Sequence, residues 1–295
     1  MIGFKVIECD QGSQEWHYAR AGAITASMFS EVRKVVDGLD DRMQAYVDAI
    51  LKDGLDKKAA MAKAGYKTAP KSKRIERALA GERVGDYTNA AKDYAFRLAV
   101  ERITGKPLDG GFTTWAMQRG NELEPEARAL HEERSGLFIE HAGFVKTEDG
   151  RFGASADGLI EPEGGAEYKC LVDPARMRQV MVEEDLSEFM DQMQGGMWIT
   201  GRNWWHYGLY CPDLKEAGKD LIIHHVQRDD DYIAALEADL VAFDKYVEHC
   251  KAKILKARTW VGLGEQEPAN DTTPEYVNQS TAVNTSNVFA TGARA

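Results

Sequence analysis

Within the stretch SADGLIEPEGGAEYKC, Asp157, Glu167 and Lys169 have the types and the spacing to do chemistry. Glu167 and Lys169 lie two apart in a strand-like run, so a period of two puts both on one face and turns Tyr168 to the other. Gly164 and Gly165 predict the turn of a short hairpin, which brings Asp157 against Glu167. Two adjacent carboxylates repel unless a cation stands between them. A hard divalent ion with oxygen ligands does this best, Mg2+ being the usual choice, and the Tyr168 backbone carbonyl is within reach of the same ion. Lys169 can orient or deprotonate an attacking water, or neutralise a developing oxyanion. This equipment suits metal-assisted phosphodiester hydrolysis. The same pattern also describes two exposed acids beside a hairpin with a cross-strand lysine.

The elements that must position these residues are legible in outline. Helical patterns cover TASMFSEVRKVV, with Thr25 as its cap, and AAKDYAFRLAVERITG. In TTWAMQRGNELEPEARALHEERSG, Ala116, Gly120, Leu123, Ala127 and Leu130 form a stripe, with a kink expected at Pro125. Strand-like pieces follow: LFIEHAGFVKT, ASADGLIE, AEYKCLV, NWWHYGLYCP and DLIIHHVQRD. A last helix places Ile233, Leu236, Leu240, Phe243 and Val247 on one face. Helices, then strands, then helices again predict an α/β fold of α+β type, a mixed central sheet flanked by helices.

The chain of 295 residues is long enough to bury a core unaided. Its net charge of −11 argues, as an average, against a simple nucleic-acid binder. The charge is uneven, however. From Lys52 to Arg83 ten basic residues stand against four acidic ones, a local excess of +6. No apolar run approaches a membrane span, the N-terminus lacks the pattern of a signal peptide, and four scattered cysteines (Cys9, Cys170, Cys211, Cys250) point to the cytoplasm. The segment from about Glu265 is rich in Thr, Asn, Ser and Ala, and is expected to be a disordered tail. The histidines show no metal spacing, and Cys170 has no partner that marks it as a nucleophile. Trp204 and Trp205 read as core and interface, and P-loop and dinucleotide motifs are missing.

RGNELEPEAR, DQMQGGMWITG and GSQEWHYARAGAITAS, in order with the hairpin, resemble the lambda exonuclease / YqaJ-like viral recombinase family, a branch of the PD-(D/E)xK nucleases. The resemblance implies a restriction-endonuclease-like core over 1–36 and 84–264, interrupted by an insert at 37–83 and followed by a tail at 265–295. It implies a phage-type exonuclease in the bacterial cytoplasm that digests one strand of linear double-stranded DNA 5′ to 3′. Two Mg2+ ions, replaceable by Mn2+, would act in a homotrimer, and the remaining 3′ strand would pass to a single-strand-annealing recombinase. Carried over by residue, Asp157, Glu167 and Glu124 would bind metal and Lys169 would act on the water. Of Gln192 and Gln194, Gln194 is expected to reach the site. Arg20, Ser27 and Ser155 match a pocket for the terminal 5′-phosphate. Ala156 stands where the motif usually has Pro, and the insert and tail depart from the family. The alternatives are an endonuclease or junction resolvase on the same core, or a non-catalytic, terminase-like DNA-binding protein.

The insert reads as three short helices, and its A-x-x-x-A-G-Y element resembles the helix-turn-helix of phage terminase small subunits. Its third helix, with Lys71, Lys73, Arg74 and Arg77, would then lie in the major groove or along phosphates. A helical decoration that binds protein is the other reading.

Overall fold

The structure, a computed structural model, describes residues 3–82, 84–108 and 115–256. The expected tail at 265–295 lies outside the described residues. In chain order come β1 (Phe4–Ile7), α1 (Gln14–Arg20), β2 (Ile24–Thr25), α2 (Phe29–Arg33) and β3 (Val35–Val36). The three insert helices follow, α3 (Asp41–Leu51), α4 (Lys57–Lys63) and α5 (Lys73–Leu79). Then come β4 (Asp86–Tyr87), α6 (Asn89–Thr104), α7 (Trp115–Ser135), β5 (Phe144–Thr147), β6 (Phe152–Ala154) and β7 (Gly158–Ile160). The chain continues through β8 (Gly164–Lys169), α8 (Pro174–Met181), α9 (Met190–Thr200), β9 (Trp204–Tyr210), β10 (Leu221–Gln227) and α10 (Asp230–Lys256).

The strands form two four-stranded sheets rather than the one central sheet expected, with a small ribbon of β3 and β4. One sheet runs β1-β5-β6-β2 and the other β10-β9-β8-β7. In the second, β8 pairs parallel with β9 and antiparallel with β7. Its two faces are both covered. On one, Trp205, Tyr207 and Leu209 pack against Val180 of α8 and Met193 and Met197 of α9. On the other, Ala166, Tyr168 and Tyr210 pack against Ala127, Leu123 and Leu130 of α7. The predicted α7 stripe therefore holds from Leu123 onward, while Ala116 is exposed. The helix runs through Pro125 without a break.

The helix α9 serves both halves. Met193 and Met197 belong to the core over the second sheet, whereas Trp198 and Ile199 join Phe29, Leu98, Phe152, Leu240 and Phe243 in the core over the first. Its two glycines allow this double packing. A Cβ on Gly195 would come within 2.5 Å of the Phe29 ring, and one on Gly196 within 3.0 Å of the Trp205 ring.

The hairpin turn falls on Glu161–Glu163, not on Gly164 and Gly165. Those two glycines are the first residues of β8, paired with Ile160 and Leu159. They lie under the rings of Trp204 and Trp205 on β9, which occupy the space a Cβ would need. In the first sheet, Thr25 does not cap the following helical turn through its side chain. That turn is a short 3-10 segment at Ala26–Met28 leading into α2, and the sequence VV after it is strand.

Gly165→Ala should destabilise the fold by about 1–3 kcal/mol, because the Trp205 ring is buried on all sides and cannot retreat. A lower urea midpoint at an unchanged slope is the expected result. A midpoint equal to wild type would show that the sheet is looser than described.

Candidate active site

The hairpin register sets Gly158 against Ala166, so Asp157, just before β7, meets Glu167 on β8. Asp157 Oδ2 accepts a 2.6 Å hydrogen bond from the backbone N–H of Tyr168. The carbonyl of a strand residue projects to the same edge as its N–H, so the Tyr168 carbonyl faces Asp157 too. Glu167 and Lys169 share the face of β8 turned toward α9. Glu167 Oε1 accepts from Lys169 Nζ at 2.5 Å and from Gln192 Nε2 at 2.5 Å. Both carboxylates are shielded from water, Asp157 at 5% exposure and Glu167 at 4%.

The carboxylates shift one another's ionisation. Burial, and then the Glu167 and Glu124 charges, raise Asp157 well above the ordinary carboxyl range. Glu124, half-buried on α7, is pushed up to about 7 by burial and by Glu167, with Arg128 and Lys169 pulling it back. Burial alone would lower Lys169, but Glu167, Asp157 and Glu124 outweigh it and hold the ammonium above its ordinary value. Three acids thus face one lysine and one arginine. The donor set is all oxygen, which fits a hard divalent cation and excludes the soft-ligand pattern of a structural zinc site. Among the described residues no three acidic, cysteine or histidine side chains yet converge on a common point. A cleft of about 300 Å³ opens on Glu124 and is also lined by Asn121, Gln11 and Arg128. Arg128 Nη1 donates to the Asp157 carbonyl at 3.3 Å. This arginine closes the motif RGNELEPEAR, one helical turn beyond Glu124, and is given no role in the sequence reading.

Of the two glutamines, the one at the site is Gln192, which corrects the preference for Gln194. Residues two apart on a helix are turned about 200° from each other, so only one can face Glu167. Gln194 is fully buried on the opposite side. It donates to the Gln227 carbonyl at 2.8 Å and accepts from Asp229 N at 3.0 Å, joining β10 to the start of α10.

Behind the strand, Tyr168 is anchored by histidines that the sequence left unassigned. Its hydroxyl meets His131 Nδ1 at 2.8 Å, His131 Nε2 meets His206 Nδ1 at 3.1 Å, and His206 Nε2 meets His225 Nδ1 at 3.0 Å. Burial, then the neighbouring His131 and His225, lower His206 to about 4, and burial lowers His131 as well. Cys170, after Lys169, is raised to about 11 by burial, which leaves it a thiol and not a nucleophile.

Arg20, Ser27 and Ser155 are brought together around two residues that motif spacing did not mark as site members, Trp16 and Thr25. The Arg20 guanidinium lies 3.9 Å over the Trp16 ring, and Trp16 Nε1 donates to Ser155 Oγ at 2.8 Å. Arg20 Nη2 reaches Thr25 Oγ1 at 3.4 Å, and that oxygen is 3.4 Å from Ser27 Oγ and 3.4 Å from Tyr94 OH. Among the described residues Arg20 makes no ion pair with a carboxylate. Burial, helped by the charge of Arg97, lowers it, yet a guanidinium stays charged at neutral pH. A guanidinium with hydroxyls beside it has donors of the kind that suit an anion. Ser155, two residues before Asp157, connects this pocket to the acids.

In the insert, Lys71, Lys73, Arg74 and Arg77 are all exposed. Arg74 Nη1 donates to the Gly38 carbonyl at 2.7 Å, and Arg77 Nε pairs with Glu82 at 2.8 Å. Both arginines make these contacts within the insert while remaining exposed.

The two glutamines should separate in stability. Gln194→Ala removes a fully buried side chain and both of its hydrogen bonds and should cost about 1–3 kcal/mol, whereas Gln192→Ala leaves Glu167 its Lys169 partner and should cost less. Equal losses in chemical denaturation would overturn this division of roles.

The model of the YqaJ-like viral recombinase domain matches residues 15–203, more than half of the chain. The crystal structure of an alkaline exonuclease from Laribacter hongkongensis is similar with a TM-score of 0.56 and 26% identity, over 83% of this chain and 99% of that one. The same enzyme in complex with dAMP matches equally, with a TM-score of 0.56 and 26% identity over 83% and 99% of the two chains. The ExoD protein of Escherichia coli (strain K12) is 26% identical over 68 residues, 23% of this chain and 76% of that protein. The helix acid, the hairpin acids with their lysine, the glutamine of α9 and the arginine pocket all lie inside the matched span, and the chain belongs to the YqaJ-like viral recombinase domain family.

Proposed function

We propose that this protein is a metal-dependent exodeoxyribonuclease that digests one strand of linear double-stranded DNA from its 5′ end. The observation that carries the reading is the group of buried Asp157 and Glu167 and half-buried Glu124 around Lys169, next to an arginine pocket that, among the described residues, has no carboxylate partner. Family membership and the likeness to an alkaline exonuclease support it.

Asp157, Glu167, Glu124 and the Tyr168 carbonyl would hold Mg2+, with Mn2+ as substitute and room in the donor set for two ions. A bound divalent cation supplies a nucleophile at neutral pH and offsets charge on the phosphoryl oxygens. The protein's residues do the rest. Lys169, kept protonated by its acidic neighbours, orients the attacking water by hydrogen bonding and balances the charge that develops on phosphorus oxygens. Gln192 fixes the Glu167 carboxylate by donating to Oε1. Tyr168 N–H fixes Asp157, so the two acids cannot rotate away from each other. Arg20, Ser27, Ser155 and Thr25 grip the terminal 5′-phosphate, which selects a strand end over an internal bond. Digestion in this direction leaves a 3′ single strand, the substrate of a single-strand-annealing protein. The homotrimer is carried by family resemblance and belongs to the same proposal.

Two outcomes test the reading. On linear duplex with Mg2+, Lys169→Ala should lose about a hundredfold or more in rate while keeping its thermal midpoint; digestion at the wild-type rate would end the active-site assignment. With 5′-phosphorylated and 5′-hydroxyl ends compared, wild type should prefer the phosphate and Arg20→Ala should lose that preference. Equal wild-type rates on both ends would refute the pocket's role, and nicking of closed circles would refute end selection.

A further inference from the structure

We infer that the helical insert is a sequence-independent grip for double-stranded DNA, holding phosphates through five lysines. The inference rests on the nuclease reading for its substrate. It departs from the helix-turn-helix expectation in how the DNA is held.

The insert is a small rigid body. Tyr46, Val47 and Ala49 of α3, Ala60 of α4 and Ile75 of α5 form a buried core of their own, with Met43, Ile50, Met61 and Tyr66 packed around it. Asp40 and Asp56 cap α3 and α4 through their side chains. The basic residues then divide, the described arginines and two lysines being engaged and five lysines not. The described arginines are engaged in holding this body together. Arg42 donates to the Ala64 and Gly65 carbonyls and stacks 4.0 Å over Tyr66. Arg74 holds the Gly38 carbonyl, and Arg77 holds Glu82. Lys52 and Lys63 pair with Asp48 at 3.1 Å and Asp53 at 2.6 Å. What remains is Lys57, Lys58, Lys67, Lys71 and Lys73, all exposed and, among the described residues, in no ion pair.

Free lysines and engaged arginines point to phosphate rather than to bases. Reading a base pair takes a bidentate fork such as arginine on guanine. A lysine ammonium is a mobile point charge that follows a phosphate backbone without regard to sequence. A protein partner fits less well, because interface cores are depleted in lysine and anchored by aromatic residues. Among the described residues between Asp40 and Glu82, the one large apolar side chain that is strongly exposed is Leu51, at 54%.

The root of the insert lies beside the site. The ribbon pairs Val35 with Tyr87 and Val36 with Asp86 at the base of the insert. The strand β3 follows α2, whose Arg33 pairs with Asp191 at 2.5 Å, the residue before Gln192. The return strand β4 leads to Thr88, whose hydroxyl donates to Glu31 of α2 at 2.6 Å. Ser27 of the arginine pocket sits just before α2. A duplex bound by the lysines is therefore held by a body rooted between the pocket and the glutamine that touches Glu167.

The test uses the full chain with all five lysines changed to Gln, and a second variant with all five changed to Arg. Duplex affinity is followed by fluorescence anisotropy without divalent metal, across about 50–200 mM salt, on two duplexes of unrelated sequence. The expected result for the Gln variant is a log K against log salt slope shallower by about 0.9 for each phosphate no longer neutralised, up to about 4.5 for all five. Its affinity near 0.15 M salt should fall at least about tenfold on both sequences alike. The Arg variant should keep the wild-type slope, and both variants should cleave saturating duplex in a single turnover within about twofold of wild type. An unchanged slope in the Gln variant would overturn the inference, and a loss confined to one sequence would replace it with base reading. Failure of the wild-type chain to cleave DNA with Mg2+ would instead count against the nuclease reading and leave the binding comparison standing.

Discussion

Carboxylates do not gather out of water by themselves. Asp157, Glu167 and Glu124 are held within interacting distance with Lys169 as the cation beside them, and the surrounding elements exist to keep them there. Burial raises Asp157 well above its ordinary range and brings Glu124 to about 7, so the cluster as it stands favours gaining positive charge, either protons or a metal. An arrangement this unfavourable to the isolated chain is what a cation site requires before the cation arrives.

Strand β8 carries most of that burden and is fixed from four directions. Its glycines lie against Trp204 and Trp205, its edges pair with β7 and β9, and Gln192 of α9 holds Glu167. From behind, Tyr168 is tied into the chain His131, His206 and His225. Tyr168 thus fixes one edge and one face of the strand at once, its backbone N–H on Asp157 and its hydroxyl on His131. The second functional feature is coupled to the first by one covalent stretch, because Ser155 reaches the Trp16 and Arg20 pocket two residues before Asp157.

Much of the acid cluster was legible because it is local. Period-two alternation put Glu167 and Lys169 on one face, and a short hairpin brought Asp157 to them wherever its turn fell. What was not legible depended on distant residues. Gly164 and Gly165 read as a turn, but Trp204 and Trp205, forty residues on, make them strand. Gln192 and Gln194 look equivalent in a helix, and the sheet beside α9 alone decides which faces Glu167. Thr25 resembled a cap, and its role in the Arg20 pocket appears only when α1, β2 and α6 meet. The histidines lie too far apart in sequence for spacing to announce their chain. The separation into two sheets, both packed on α9, is likewise not encoded in strand patterns. Net charge misled for a related reason. A total of −11 averages a carboxylate cluster and an acidic surface with a basic insert. The sign that matters to a polyanion is the local one.

The central claim is that Asp157 and its neighbours hold the divalent cation on which hydrolysis depends. Mn2+ binding followed by electron paramagnetic resonance, in wild type and in Asp157→Asn, tests it without relying on activity. The account predicts saturable Mn2+ binding by wild type, displaced by Mg2+, and its loss in Asp157→Asn with the fold retained. Equal Mn2+ binding by the two proteins would contradict it.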